Sequence, residues 1–491
     1  MAQLSINWKD KHLIFLVIVL LMGFFLRTYR IADTFDFNGD LGRDALIAKR
    51  IIVDREFTLI GPRASGGDFY LGPLYYYLII PSLFLSGFSP LGPVYLTVFL
   101  NLLTIFLIYF VASKLFTKVA GNVAALLYTV SPLTVAYGRV SGNYAALPLL
   151  GLLAVYFLWH WLRKRKLHLM GFWALILGLS IQLHYSVVVL VFFGLFCLGL
   201  YRINPRFYWK HFLAAILIFG LLCSPLLLFD IRHDWVNFKG FTNYLLNGSG
   251  QQIRSIIGAP AWSFSGSLVF FTKTVYGSIS PVLSEYLPAS LIITAVFLAI
   301  RIFRKKLKKE QFFFLALIAF TAIFSSFYQG YLADYYLIFL FTAPIVFFSS
   351  LVSPDKKTVS RPILISAIVL CAFNLSAIKF DKINRNLEKI SKVAETIAGD
   401  VSAESSFNLF LKRETPFWSS ASEYRYLTEI FGKRALGPTE YGEAEILYYI
   451  DETDERKPLA SQNWEITEFC PRKVIDNWQV DNISIYKLSK Q

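Results

Sequence analysis

Long apolar runs, separated by short polar segments, dominate the chain up to about residue 379. Their length is that of a helix crossing the hydrocarbon core of a bilayer, which takes about 20 residues. The pattern predicts an all-α polytopic membrane protein with about eleven transmembrane helices. The predicted spans are residues 12–31, 90–113, 120–137, 143–162, 169–184, 185–201, 211–229, 286–303, 311–328, 335–352 and 362–379.

Three longer segments break this pattern. The first, 32–89, holds short amphipathic or apolar pieces at 44–57 and 73–88, which are typical of helices lying at the membrane surface. The second covers about 230–285. The third, 380–491, is charged and alternating: SFNLFLK, AEILYYIDE and DNISIYKL predict strands and 420–433 a helix. We therefore predict a transmembrane domain, 1–379, and a small soluble α/β domain, 380–491.

The charge is unevenly distributed. The whole chain has a net charge of +15. Residues 380–491 carry a net charge of −4, so the membrane part carries +19. With a cytoplasmic N-terminus, 20 of the basic residues fall in inner loops, which satisfies the positive-inside rule. The odd number of spans then leaves the C-terminal domain outside the cytoplasm. The inner basic residues are Lys9, Lys11, Lys114, Lys118, Arg163–Lys166, Arg202, Arg206, Lys210, the cluster 301–309, Lys356, Lys357 and Arg361.

Composition supports the membrane class. Hydrophobic residues make up 55% of the chain and charged residues 16%, whereas a soluble protein has about 25% charged residues. Short basic clusters between apolar spans argue against a nucleic-acid surface. The four cysteines form no disulfide framework or zinc spacing, which, with the lysine-rich loops, favours a bacterial plasma membrane.

The first loop concentrates groups that can do chemistry. Asp40 and Asp44 are spaced i, i+4, and a helix beginning near Leu41 places Asp40 at its N-terminus. One interpretation makes Asp40 a helix cap. The other makes it a general base that faces a polar ligand at the outer membrane surface. Both roles are compatible, since capping would orient the carboxylate.

The order of motifs resembles the GT-C glycosyltransferases, in particular the protein O-mannosyltransferases and the aminoarabinose transferases of lipid A (glycosyltransferase family 39-like). The matching segments are GDLGRDA at 39–45, LGPLYYYL at 71–78, YGRVSGNYAALPLL at 137–150 and LADYYLIFLFTAP at 332–344. Two departures are clear. Many relatives have an Asp-Glu pair where Leu41 follows Asp40, and His-Pro-Pro or Lys-Pro where this chain has Leu71-Gly72-Pro73.

The resemblance implies a hexosyltransferase that moves a sugar from a polyprenyl-phosphate carrier to an acceptor protein, lipid or glycan on the extracytoplasmic face. The reaction would be inverting, with Asp40 as the base. Arginine suits the leaving phosphate, and an ionisable group at membrane depth, such as His184, is a functional candidate. The predicted substrate-binding residues are Arg43, Asp44, Arg63, Asp68, Tyr76, Arg139, Asn143, His184, Arg232, His233 and Tyr335.

Structural alternatives remain open for these residues. Outer arginines also pair with lipid headgroups or acids, His184 also suits a buried hydrogen bond, and the tyrosines at 75–77 also suit an interfacial aromatic belt. Asp40, Asp68 and His184 could together hold a divalent metal, but no spacing demands one, so we predict no metal site and no cofactor.

Two rival functions have different consequences. A transporter or flippase for lipid-linked sugars would use the outer carboxylates only for binding. A membrane scaffold that displays the C-terminal domain would tolerate substitution of Asp40, Arg43 and Asp44.

Overall fold

The computed structural model describes residues 10–64, 67–247, 261–304, 306–330, 332–352, 357–402, 405–413, 420–453, 455, 458–460, 463–470 and 472–490. The chain forms two compact units. The first takes the chain up to Tyr29, then Thr58–Tyr75 and Tyr95–Lys379. The second takes Arg30–Phe57, Tyr76–Val94 and the chain from Phe380 onward. The domain boundaries predicted from the sequence stay a prediction. Much of the first loop, 32–57 and 76–89, belongs to the same compact unit as the C-terminal residues.

Every predicted span coincides with one helix or with two consecutive helical segments. The helices up to residue 247 are α1 Lys11–Thr28, α2 Ile31–Thr34, α3 Gly39–Val53, α4 Leu74–Leu85, α5 Gly92–Leu115, α6 Lys118–Val130, α7 Pro132–Tyr137, α8 Leu147–Lys164, α9 Leu167–Leu183, α10 Val188–Leu200, α11 Trp209–Arg232 and α12 Val236–Asn247. Those that follow in the first unit are α13 Phe264–Ile279, α14 Pro281–Glu285, α15 Leu287–Phe303, α16 Lys309–Ser325, α17 Thr342–Ser349 and α18 Lys357–Ala377, with short 3-10 helices at Tyr185–Val187, Pro205–Tyr208 and Asp334–Leu340.

Membrane character is plain in the described helices. Three of them are long and apolar enough to cross a bilayer by length and composition: Lys11–Thr28, Gly92–Leu115 and Pro205–Arg232. Shorter apolar helices include α6, α9, α10 and α15. The number of transmembrane helices stays a prediction. Lys9, Lys305 and Lys356 of the predicted inner clusters, and 248–260 of the second loop, lie outside the described residues.

Close helix contacts in the first unit position the 3-10 helix Asp334–Leu340. This segment packs against α8. A Cβ atom at Gly151 would overlap the backbone of Phe339, so only glycine permits this approach. The segment is buried at Leu337, Phe339 and Leu340. The polar residues that precede these apolar ones are therefore held in a defined position.

The C-terminal part of the second unit is a four-stranded sheet flanked by helices. The strands are β1 Phe407–Lys412, β2 Ile446–Asp451, β3 Arg472–Val480 and β4 Ile483–Lys490, and the helices are α19 Leu387–Asp400, α20 Ser422–Ile430 and α21 Trp464–Glu468. The strand order is β1-β2-β4-β3, with β1 parallel to β2 and the other pairs antiparallel. A mostly helical protein with a small C-terminal sheet is what the sequence predicted.

One strand was not predicted from the sequence. β3 is one of the two edge strands and exposes most of its residues, so it lacks the buried alternation that identifies a half-buried strand. By contrast β1 and β2 bury Leu409, Phe410, Leu447 and Tyr449 almost completely. Both faces of β1 and β2 are buried, so most of their residues are apolar.

Helix α3 of the first loop packs against α20 within this unit. A Cβ atom at Gly42 would overlap the backbone of Ser422 and Glu423, so the two helices touch through their main chains. Lys49 of α3 also donates to Glu429 Oε1 of α20 at 2.7 Å. The loop segment predicted as an interfacial helix is therefore a helix, and it is fixed to the C-terminal fold.

Candidate functional site

The site begins at the N-terminus of α3. Asn38 is the cap residue: its Oδ1 accepts a hydrogen bond from the backbone N–H of Leu41 at 3.3 Å. The helix starts at Gly39, two residues earlier than expected, and Asp40 lies in its first turn. The interpretation of Asp40 as the cap is therefore wrong. The Asp40 carboxylate lies near the positive end of the helix dipole, which stabilises its negative charge.

Arg43 joins the two aspartates. Its Nη1 donates to Asp40 Oδ1 at 2.7 Å, while Nε and Nη2 both donate to Asp44 Oδ1, at 3.0 and 2.8 Å. The planar guanidinium suits this two-sided contact. The Asp40 side chain is 57% exposed and the Asp44 side chain 6%. Among the described residues, only Oδ1 of Asp40 has a hydrogen-bond partner, so Oδ2 is available to accept a proton.

Asp44 is the buried member of this group. Burial raises the pKa of its carboxyl to about 6, against the opposing charge and hydrogen bonds of Arg43. Tyr76, also buried, forms a side-chain hydrogen bond with Arg43. Four of the predicted site residues are thus brought together in the second unit: Asp40, Arg43, Asp44 and Tyr76.

The pKa of Asp44 predicts a pH dependence of stability. Because the folded pKa lies above the unfolded one, the native state binds more protons, so the contribution of Asp44 to stability falls as pH rises through about 6. The slope is at most about 1.4 kcal/mol per pH unit, and it vanishes above about pH 7. Thermal unfolding of wild type and Asp44→Asn in detergent between pH 4.5 and 8 measures it. An identical slope in both proteins would contradict the assignment.

A second group of predicted residues meets in the first unit. His184 ends α9, and its Nδ1 lies 2.9 Å from Ser186 Oγ. Its ring centroid is 5.7 Å from that of Tyr335 and 5.1 Å from that of Tyr336. Asn143 Nδ2 donates to the carbonyl of Leu183 at 2.6 Å. Asn143, His184 and Tyr335 therefore lie close together, although they come from three distant segments.

This cluster also contains residues outside the predicted set. Tyr137 donates a hydrogen bond to Asp334 Oδ1, and the ring of Tyr144 stacks on Tyr335 with centroids 5.1 Å apart. Polar edges and aromatic faces in one place suit a sugar ring. Both tyrosines lie within the segment YGRVSGNYAALPLL, so the motif was the signal that pointed to them.

Arg139 contacts the first helix. Its Nη1 donates to the carbonyl of Leu26 at 2.9 Å and Nη2 to that of Tyr29 at 2.8 Å. Both carbonyls lie at the C-terminal end of α1, where the last carbonyls of a helix are commonly satisfied by side chains. These contacts favour a structural role for Arg139, with backbone carbonyls as partners in place of the lipid headgroups or acids considered from the sequence.

The other predicted residues lie at more open positions. Arg63 and Asp68 form an exposed ion pair in a small bridged turn. Arg232 is exposed at the end of α11, and His233 stacks on Phe229 with its Nδ1 2.8 Å from the Phe229 carbonyl. None of these four side chains is buried, and the guanidinium groups of Arg63 and Arg232 are exposed cations that suit a phosphate or headgroup.

Comparison with known proteins agrees with this picture. The family model of the dolichyl-phosphate-mannose-protein mannosyltransferases matches residues 71–229. The matched stretch includes the tyrosine run of the first loop, Asn143 and His184. A comparison with curated proteins gave no match.

Two solved structures are similar over most of the chain. ArnT from Cupriavidus metallidurans bound to undecaprenyl phosphate has a TM-score of 0.61 and 13% identity, with 97% of both chains covered. The apo oligosaccharyltransferase of Archaeoglobus fulgidus has a TM-score of 0.54 and 12% identity, covering 91% of this chain and 70% of that one. At such identities the likeness concerns the fold.

The family model and the shared folds together support a glycosyltransferase of the GT-C superfamily. The resemblance seen in the sequence is confirmed at this level. The protein is accordingly a multi-pass membrane protein.

Proposed function

We propose that the protein transfers a sugar from a polyprenyl-phosphate donor to an acceptor hydroxyl on the extracytoplasmic face, with inversion at the anomeric carbon. Asp40 is the general base. The observation that carries the proposal is the first turn of α3, where Arg43 orients Asp40 from one side and leaves Oδ2 open.

The reaction is a single displacement. Asp40 Oδ2 takes the proton of the acceptor hydroxyl, whose oxygen forms a bond to the anomeric carbon from the face opposite the phosphate. The bond between that carbon and the phosphate oxygen breaks, and polyprenyl phosphate leaves with the electron pair. A carboxylate can fill this role when one of its oxygens lies within hydrogen-bond distance, about 3 Å, of the acceptor hydroxyl.

The arginine geometry supports the choice of base. Arg43 restrains rotation of Asp40 and keeps the buried Asp44 partnered, so the carboxylate direction is set before the substrate binds. In this proposal Asp44 is a supporting acid, because it is 6% exposed. Its position one turn along the helix substitutes for the adjacent acid that Leu41 replaces.

Residues of the first unit are proposed to bind the donor. His184, Asn143 and Tyr335 form a cluster that suits a sugar, while Arg63 and Arg232 supply exposed cations for phosphate. The apolar exposed helices of this unit would hold the polyprenyl chain, since they present aliphatic and aromatic side chains to lipid.

Wild-type protein in detergent, given a panel of polyprenyl-phosphate sugars with and without candidate acceptors, tests the proposal. We expect release of free polyprenyl phosphate, stimulated by the correct acceptor, together with a glycosylated product of inverted configuration. Movement of the intact lipid across reconstituted vesicles without release would identify a transporter instead. If the protein shows neither release nor transport with any donor, the scaffold interpretation is the one that remains.

A further inference from the structure

A cluster of charged side chains connects the segment before α3 to the C-terminal fold inside the second unit. Three acids and two arginines take part, so the cluster has one negative charge more than positive. Its members come from five separate places in the sequence: Asp36, Arg385, Arg413, Glu423 and Glu452.

Arg385 is the centre of the cluster. Its Nη1 donates to Asp36 Oδ1 at 2.7 Å and to the carbonyl of Phe37 at 3.0 Å. Its Nη2 donates to Glu423 Oε1 at 2.7 Å, and its Nε to both carboxylate oxygens of Glu452 at 3.0 Å. The side chain is 19% exposed. All three guanidinium nitrogens are thus engaged, and two of the contacts fix the chain just before α3.

These contacts act close to Asp40. Phe37 is followed directly by Asn38, the cap of α3, and Asp40 is the second residue of the helix. The Phe37 ring is buried and meets Tyr426 of α20 edge-on, with centroids 5.7 Å apart. The segment before the helix is therefore held through its carbonyl, its ring and the neighbouring Asp36 carboxylate.

The other side of the same turn is also fixed. Gly42, two residues beyond Asp40, lies against the backbone of Glu423. Glu423 is the residue whose Oε1 receives both Arg385 and Arg413, at 2.7 and 2.9 Å. The first turn of α3 is therefore held on one side by Arg385 and on the other by the backbone of Glu423. Arg385 and Glu423 also bind each other.

Arginine is required for this geometry. A lysine at 385 would keep the positive charge but could not present three nitrogens in one plane to four acceptor groups. Arg413 would still hydrogen-bond to Glu423 and Glu452, since it contacts both. The Asp36 and Phe37 contacts would be the ones lost, because Arg413 has no hydrogen bond to either among the described residues.

We propose that Arg385 is a positioning residue that sets the direction of the Asp40 carboxylate through the segment before α3. The inference rests on the proposed function, in which Asp40 is the base. The C-terminal fold then contributes to turnover itself, beyond any contact it makes with an acceptor. A displacement of the base by about 1 Å can cost about 10²-fold in rate.

The test compares Arg385→Lys with wild type in detergent. We expect kcat for polyprenyl phosphate release to fall by about 10- to 100-fold with KM for the donor unchanged. Hydrogen exchange of the amides in 36–46 should become faster, because the Asp36 and Phe37 contacts are lost. Asp36→Asn, at a half-exposed side chain, should give a smaller change in the same direction, and it serves if Arg385→Lys does not fold.

Arg434→Lys is the matched control. Arg434 also links the C-terminal residues to α3, but at the far end of the helix, where its Nη1 meets Asp54 at 3.0 Å and its side chain is 49% exposed. We expect unchanged kcat and unchanged exchange in 36–46. Equal losses in both variants, or a rise in KM without a fall in kcat for Arg385→Lys, would overturn the positioning role.

Failure of the two proposals is distinguishable. A wild-type protein without polyprenyl phosphate release would refute the proposed function. An active wild type with unaltered kcat in Arg385→Lys and Asp36→Asn would refute only the inference. Exchange in 36–46 that is the same in all variants would also refute it.

Discussion

Replacing Asp40 with asparagine is expected to lower kcat for sugar transfer by about 10²- to 10⁴-fold, the range typical of a lost general base. Asparagine keeps the shape and accepts the Arg43 hydrogen bond through its carbonyl oxygen, so the first turn of α3 should persist. Its amide cannot take a proton from the acceptor hydroxyl. The measurement is release of polyprenyl phosphate together with direct binding of the lipid, which should be retained.

The matched control is Asp33→Asn. Asp33 is an exposed aspartate in the same unit, paired with Arg30 across three residues at 3.0 Å, as Asp40 is paired with Arg43. It should keep full activity. Equal turnover by wild type and Asp40→Asn would remove Asp40 from the mechanism and direct attention to Asp44 or Asp68.

Replacing Arg43 with glutamine is expected to damage both stability and turnover. It leaves the carboxylate of Asp44, which is 6% exposed, without the cation that makes two of its hydrogen bonds. We expect a loss of about 2–4 kcal/mol in the free energy of unfolding. We also expect kcat to fall by about 10²-fold, because Asp40 loses its restraint.

Unfolding midpoints in detergent and steady-state kinetics measure these two effects. Arg30→Gln removes the comparable exposed pair and should change stability by less than about 1 kcal/mol. A variant of Arg43 that raised only KM would instead identify Arg43 as a phosphate ligand. A double variant, Arg43→Gln with Asp44→Asn, should recover stability without recovering turnover, since it removes the unpartnered buried acid but not the loss of restraint on Asp40.

Much of the candidate site follows from short stretches of sequence. The amphipathic piece at 44–57 predicted a helix, and a start near Leu41 placed Asp40 at its N-terminus; the structure has α3 there, from Gly39 to Val53. Two details could not be read from the sequence pattern: which residue caps the helix, and which acids Arg43 contacts. Asn38 rather than Asp40 caps the helix, and Arg43 binds both acids because its long side chain reaches in two directions.

By itself the sequence determined the membrane class, the positions of the helical spans and the stretch that holds the candidate base, because hydropathy and helical periodicity depend on nearby residues. Only the tertiary structure decided that Arg385 meets Asp36, 349 residues away, and that His184 meets Tyr335. Such contacts depend on how the whole backbone is routed. Local patterns carry no information about that route, so the contacts around the proposed base emerge only when the chain is folded.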